Sequence, residues 1–274
     1  MGEWPLIIFT LAMQAAAGVC LWTVYFETKK NGADFRLSTP VALGLSAVAM
    51  IVSLFHLGTP VKAINSLSNL SNSWLSREIL FSGTFLTLLA VSVFLQRANL
   101  KNERLKKFCT YLNGIAGCLV VFSMAMVYMN SIKPAWESWN TLVDFYATAL
   151  VLGGVILVMS SRKEMGDKLL GMNLILVVVV LLQIALLPNF LVGLGAGNAA
   201  AQASVKLIHD DYGAIMFLRW LLVLGGMILM LLSQVRKKQD MGCLYMAAAA
   251  LVAGQVMGRY LFYAVGVATG IGLV

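Results

Sequence analysis

Residues 172–187 read MNLILVVVVLLQIALL, from Met172 to Leu187, sixteen positions without one charged side chain. A helix rises 1.5 Å per residue, so crossing about 30 Å of hydrocarbon takes roughly 20 apolar residues. With the apolar residues on either side, this stretch forms a run from Leu169 to Leu187 of that length. It does not alternate, so it is not a strand of a membrane barrel, and in lipid its backbone groups must be satisfied within the segment itself. The spacing predicts a membrane-spanning helix.

Seven further runs of this kind flank it: Trp4 to Phe26, Thr39 to Leu57, Ile79 to Gln96, Phe108 to Ile132, Thr141 to Ser160, Tyr212 to Gln234 and Met241 to Ala264. The connections are short and leave no room for a separate soluble domain. The expected fold is an all-α integral membrane protein, a bundle of eight transmembrane helices in a single polytopic domain over residues 1–274. Composition agrees: 60% of the 274 residues are hydrophobic and only 12% charged, about half the charged fraction of a soluble domain. Soluble, disordered and collagen-like classes are thereby excluded. The formal net charge of +8 suggests a nucleic-acid partner only if a basic patch exists on a soluble face, and none is available.

The positive charges set orientation instead. Fourteen of the twenty Lys and Arg fall in the loops after helices 1, 3, 5 and 7, among them Lys29, Lys30, Arg36, Lys106, Lys107, Lys163 and Lys237. By the positive-inside rule those loops are cytoplasmic and both termini lie on the non-cytoplasmic side. No Lys or Arg precedes the first run, so it reads as a retained helix although Ala15 to Gly18 resembles a cleavage site. Cys20, Cys109, Cys118 and Cys243 have no paired spacing and read as small core residues, with neither disulfides nor an iron–sulfur cluster. Trp74, Trp136, Trp139 and Tyr212 fit an outer interfacial belt, and Trp22 with Tyr25 an inner one.

Ionisable groups at membrane depth are costly and mark sites, partners or cavities. In this orientation His56, Glu78, Asp144, Arg219 and Arg259 all fall toward the outer leaflet. The segment between the second and third runs carries His56-Leu57-Gly58-Thr59-Pro60, then Lys62 and Asn65, and re-enters structure at Trp74-Leu75-Ser76-Arg77-Glu78. Gly58 and Pro60 break the helix just after the histidine. A histidine and a carboxylate on a short outer loop suit a quinol, an amphiphile whose oxidation releases two electrons and two protons. His56 would accept a proton and Glu78 orient it or relay the proton outward. A helix-end histidine paired structurally with a nearby acid explains the spacing equally well. His56 and His209 are the only histidines, which disfavours a bis-histidine haem, and no zinc spacing is present, so no metal is expected in this chain. Gly193, Gly195 and Gly197 read as a flexible loop rather than a dinucleotide site.

From end to end these residues resemble the membrane anchor subunits of bacterial dimethyl sulfoxide reductases, the DmsC family. The motifs are Glu3-Trp4-Pro5-Leu6, His56 to Pro60 with Asn65-Ser66-Leu67, Glu78-Ile79, Tyr128 with Asn130-Ser131-Ile132, Pro134 and Trp136, Asp211-Tyr212-Gly213-Ala214 with Arg219, and Gly258-Arg259 with Phe262-Tyr263. Each is weak alone; their order and spacing carry the resemblance.

The resemblance implies a subunit that is not itself the catalyst for the terminal substrate. It would oxidise menaquinol near the outer leaflet of the bacterial inner membrane and serve anaerobic respiration. Its partners would be a four-cluster ferredoxin-like iron–sulfur subunit and a molybdopterin catalytic subunit, both on the periplasmic side. The family's quinol histidine falls on His56 and its acid on Glu78. A family arginine is Lys62 here, and Lys lacks a bidentate fork. Gln255 stands where an acid is expected. The family anchors carry no haem. Lys62, Arg77 and Arg259 are the expected basic residues at the quinol, and Lys62, Asn65 and Trp74 the expected docking residues, with Arg77 as open to docking as to quinol binding. The competing readings are a polytopic secondary transporter, whose site would lie near the midplane, a polysulfide-reductase-type anchor translocating protons past Gln14 and Gln183, and a purely structural anchor.

Overall fold

The computed structural model describes residues 3–29, 37–56, 67–98, 102–165, 169–235 and 241–270. Nine α-helices occur among them: α1 Trp4–Thr28, α2 Ser38–His56, α3 Trp74–Arg97, α4 Glu103–Met129, α5 Trp139–Met165, α6 Leu169–Gly195, α7 Ala199–Lys206, α8 Gly213–Val235 and α9 Met241–Ala264. All except α2 and the short α7 are long and apolar enough to cross a membrane, seven in number. α2 coincides with the expected second run, but its 19 residues reach only about 28 Å. The described elements are all helical, as the continuous apolar runs require.

The chain divides into two compact units, one of residues 1–127 with 148–169 and the other of residues 128–147 with 170–274. The boundaries fall inside α4 and α5 and after the first residue of α6.

The first unit is organised around α1, whose buried residues run from Ile7 to Phe26. Apolar collapse does not hold helices together in lipid, so close backbone approach and specific hydrogen bonds must. A Cβ on Gly18 would overlap the Ala149 carbonyl of α5, and one on Gly153 would overlap Gly18. On α4, a Cβ on Gly117 would stand 3.2 Å from the Ala17 Cα. The Ala15 to Gly18 stretch that resembles a cleavage site is thus a packing face. Trp22 donates from Nε1 to the Leu150 carbonyl at 2.8 Å and is 2% exposed. It is therefore a core residue and not part of an interfacial belt, because its one polar atom has a partner inside. Asn113 donates to Ser92 at 2.7 Å. The Ser38 hydroxyl, at the first residue of α2, meets Ser160 and Ser161 at 3.0 and 3.1 Å, where Ser161 leaves helical geometry.

The second unit pairs α8 with α9 along small residues. A Cβ on Gly226 would stand 2.8 Å from Leu251, and one on Gly254 2.6 Å from Val223. α6 continues through Pro188 to Gly195, so Gly193 and Gly195, expected in a loop, form its last turns. Proline is tolerated inside membrane helices when neighbours or local adjustment re-satisfy the freed carbonyl. Asn198 then caps α7, its side chain accepting from the Ala201 amide at 3.0 Å. A π-helical turn, Leu207–Asp211, leads to α8.

Candidate functional site

α2 ends at His56. The histidine side chain and residues 57–66, including Lys62 and Asn65, lie outside the described residues. Structure resumes with a 3-10 turn, Leu67–Asn69, and α3 begins after Ser73, whose hydroxyl caps the helix by accepting from the Ser76 amide at 3.3 Å. Arg77 reaches back over this turn. Its Nε donates to the Leu70 carbonyl at 2.8 Å and its Nη2 to the Ser71 carbonyl at 2.7 Å. Its guanidinium lies 4.2 Å from the centre of the Trp74 ring, and Trp74 packs edge-on against Phe122 at 5.8 Å. Three attachments thus fix the entry of α3. What they fix is the direction of Glu78, which is 5% exposed and flanked along the buried face by Ser76 and Ser82. The carboxyl of Glu78 has no hydrogen-bond or ion-pair partner among the described residues. Among the described residues its acceptor capacity is unspent, as a ligand-binding group requires.

The second unit concentrates charge. Asp144 Oδ1 accepts from Arg219 Nη2 at 2.6 Å and from Gln183 Nε2 at 2.8 Å. Arg259 Nη2 stands 4.0 Å from Oδ2. Side-chain exposure is 21% for Asp144, 11% for Arg219 and 0% for Arg259. The Arg259 guanidinium lies 3.8 Å from the Phe145 ring centre and 5.4 Å from that of Phe262, a cation held on aromatic faces. Gly258 makes room for its neighbour's partner, since a Cβ there would sit 2.5 Å from Arg219 Nε. Around the cluster Tyr128 and Tyr263 share a hydroxyl contact of 2.6 Å. Trp136 stacks on Phe262 at 5.2 Å and donates from Nε1 to the Phe262 carbonyl at 2.6 Å. Trp136, expected in an interfacial belt, is therefore buried, while Trp139 is 75% exposed.

Of the residues expected at a site, Arg77 and Glu78 share one turn of α3 with Trp74. Arg259 sits in the second unit with Asp144 and Arg219. Gln183, read as a possible proton-path residue, is a ligand of Asp144. Tyr128, Trp136, Phe262 and Tyr263 stand among the motifs that carry the resemblance, but their gathering around Arg259 had no signal in the sequence, since they come from positions as far apart as Tyr128 and Tyr263. His209 is exposed on the π-turn, its Nδ1 3.2 Å from Asp210. No cluster of metal-ligating side chains exists among the described residues.

Seven helices long and apolar enough to cross a membrane, one with a buried carboxyl near its start, mark a multi-pass membrane protein. The sequence model of the family described as DMSO reductase anchor subunit (DmsC) matches residues 1–265, and the chain belongs to that family. It is 28% identical over 281 residues to the C subunit of the anaerobic dimethyl sulfoxide reductase of Escherichia coli (strain K12), with 98% of the present sequence and 96% of that subunit covered. It is 24% identical to the anaerobic dimethyl sulfoxide reductase subunit YnfH of the same organism, covering 99% and 97%. To the corresponding C subunit of Haemophilus influenzae Rd it is 27% identical, covering 95% and 94%.

Proposed function

We propose that this protein is the quinol-oxidising membrane anchor of a reductase complex of the dimethyl sulfoxide reductase type. Menaquinol enters from the bilayer and is bound between His56 and Glu78. His56 takes a hydroxyl proton as general base and Glu78 orients the second hydroxyl and relays its proton outward. Two electrons pass to an iron–sulfur subunit and from there to a molybdopterin subunit that reduces the terminal substrate. Lys62 faces the quinone oxygens or the partner, and Asn65 and Trp74 belong to the docking surface. Arg77 acts as a positioning residue, because its fork is committed to the turn that aims Glu78. Arg259, also expected at the quinol, stands 4.0 Å from Asp144 and against two aromatic faces, and it remains a candidate for the quinol oxygens. In the membrane the protein has eight spans, α2 completing the set, with both termini and the partner subunits on the periplasmic side of the inner membrane.

The observation that carries this reading is the buried Glu78 carboxyl, unpartnered among the described residues, at the head of α3 in a protein of this family. The test uses His56→Ala and Glu78→Gln in the assembled complex. Quinol-dependent reduction should fall at least about a hundredfold in both, while reduction driven by an artificial donor to the partner subunits is retained. Unchanged quinol-dependent turnover in either variant refutes that residue's role. Transport of a solute by the protein without its partners would favour the transporter reading.

A further inference from the structure

The second unit contains a cavity of about 110 Å³, partly open at its rim. Its walls are mostly apolar and in part aromatic, with Leu187, Phe190, Met216 and Phe262 among them, and its polar lining includes Asp144 and Arg219 together with Asn140, Thr141 and Gln183. The volume approaches that of cavities which admit a benzene ring, about 150 Å³. It has space for one ring or small head group, and a tail would have to leave through the open rim.

The hydrogen bonding of Asp144 is lopsided. Oδ1 accepts both the Arg219 and the Gln183 bonds, and Oδ2 accepts none among the described residues, its nearest cation standing 4.0 Å away. A residue five positions into a membrane helix that keeps 21% of its side chain exposed is exposed to the cavity it lines. The cavity therefore presents a carboxylate oxygen seeking a donor beside a guanidinium that donates. A hydroxyl satisfies both, since it gives one hydrogen and accepts others. A phosphodiester has no proton to give and would meet the carboxylate with like charge, and a quinone carbonyl can accept but not donate. Aromatic walls favour a flat ring over a glycerol backbone.

We infer that this cavity binds the hydroxyl-bearing ring of a lipid-soluble hydroquinone, with Asp144 Oδ2 accepting and Arg219 donating, and that it prefers the reduced over the oxidised ring. The class of ligand rests on the function proposed above; what is new is a site made only of second-unit residues, none of them His56 or Glu78. No covalent or redox step is assigned to it. Occupancy by ligand supplies the hydrogen bond that Oδ2 lacks.

The test is photolabelling of membranes holding the assembled complex with a short-tailed azido-1,4-naphthoquinol kept reduced. Label should appear on peptides containing residues 140–144 or 216–220. An excess of naphthoquinol should suppress it about tenfold, and the same concentration of oxidised naphthoquinone should suppress it less. Excess phosphatidylglycerol should leave it in place. Met216→Trp fills the cavity from its wall and should remove this label, whereas His56→Ala should keep it. Absence of label there in the unaltered protein overturns the inference, as does label indifferent to Met216→Trp. Displacement by phosphatidylglycerol as effectively as by naphthoquinol assigns the site to a lipid head group and overturns it too. Should Met216→Trp prevent assembly, labelling and competition in the unaltered protein decide alone. If His56→Ala leaves quinol oxidation intact while Met216→Trp abolishes it, the cavity stands as a quinol site and the His56 reading falls.

Discussion

Replacing Asp144 by Asn keeps the size of the side chain and removes the charge that Arg219 and Arg259 share. Stripping one partner from a buried ion pair costs about 3–5 kcal/mol, because the remaining charge stays desolvated. Asp144 and Arg219 retain 21% and 11% exposure, so the lower end applies, about 3 kcal/mol. Arg219→Gln leaves the carboxylate the Gln183 bond at 2.8 Å and, as its one remaining cation among the described residues, the more distant Arg259 at 4.0 Å, at a cost of about 2 kcal/mol by the same reasoning. If the residues act as one unit, the double variant loses about 3 kcal/mol instead of about 5, a coupling of about 2 kcal/mol. The assay is thermal unfolding of the detergent-solubilised protein followed by tryptophan fluorescence. At about 2–4 °C per kcal/mol for a protein of this size, Asp144→Asn lowers Tm by about 6–12 °C. Losses that add within about 0.5 kcal/mol would refute the claim that Asp144 and Arg219 form a coupled pair.

Gly18→Val drives a side chain into the Ala149 carbonyl and should separate α1 from α5, costing about 3 kcal/mol or more and sharply reducing folded yield; Gly44→Ala, with open space around it, should be neutral or gain up to about 1 kcal/mol. Trp22→Phe removes the indole donor to Leu150 and part of a ring that is buried in the core, and should lower stability by at least about 2 kcal/mol in the same melts. Tyr128→Phe and Tyr263→Phe each break the hydroxyl contact, so the second substitution should add less than the first, about 0.5 against about 1 kcal/mol. Arg77→Lys keeps the charge but cannot fork onto the Leu70 and Ser71 carbonyls together. It should raise KM for quinol severalfold while leaving artificial-donor turnover unchanged; an unaltered KM would separate Arg77 from the placement of Glu78.

What the sequence made legible was the part governed by a single physical scale. Met172 to Leu187 is a helix because a charge-free apolar stretch of that length has no other stable conformation in lipid, and α6 follows. The boundaries were less accessible. α4 starts at Glu103, a turn and a half before the first apolar residue of its run, because Asn102 caps it through the Leu105 amide at 3.2 Å. α7 and the π-turn before α8 have no apolar run to announce them. At the site, Asp144 and Arg219 were visible as ionisable residues at similar distances from helix starts, yet their direct pairing and the role of Gln183 depend on how three helices face one another. The aromatic seat of Arg259 and the burial of Trp136 and Trp22 were hidden for the same reason. A tryptophan near a helix end reads as interfacial until its N–H is seen to find a carbonyl more than 120 residues away.

The central claim, that electrons enter this protein from quinol at His56 and Glu78, is tested most directly by mixing the assembled complex with menaquinol and following reduction of the partner's iron–sulfur clusters by electron paramagnetic resonance. The unaltered complex should reduce its clusters within the turnover time, and His56→Ala should not, although dithionite reduces them in both. Equal rates of menaquinol-driven cluster reduction in the two proteins would contradict the account.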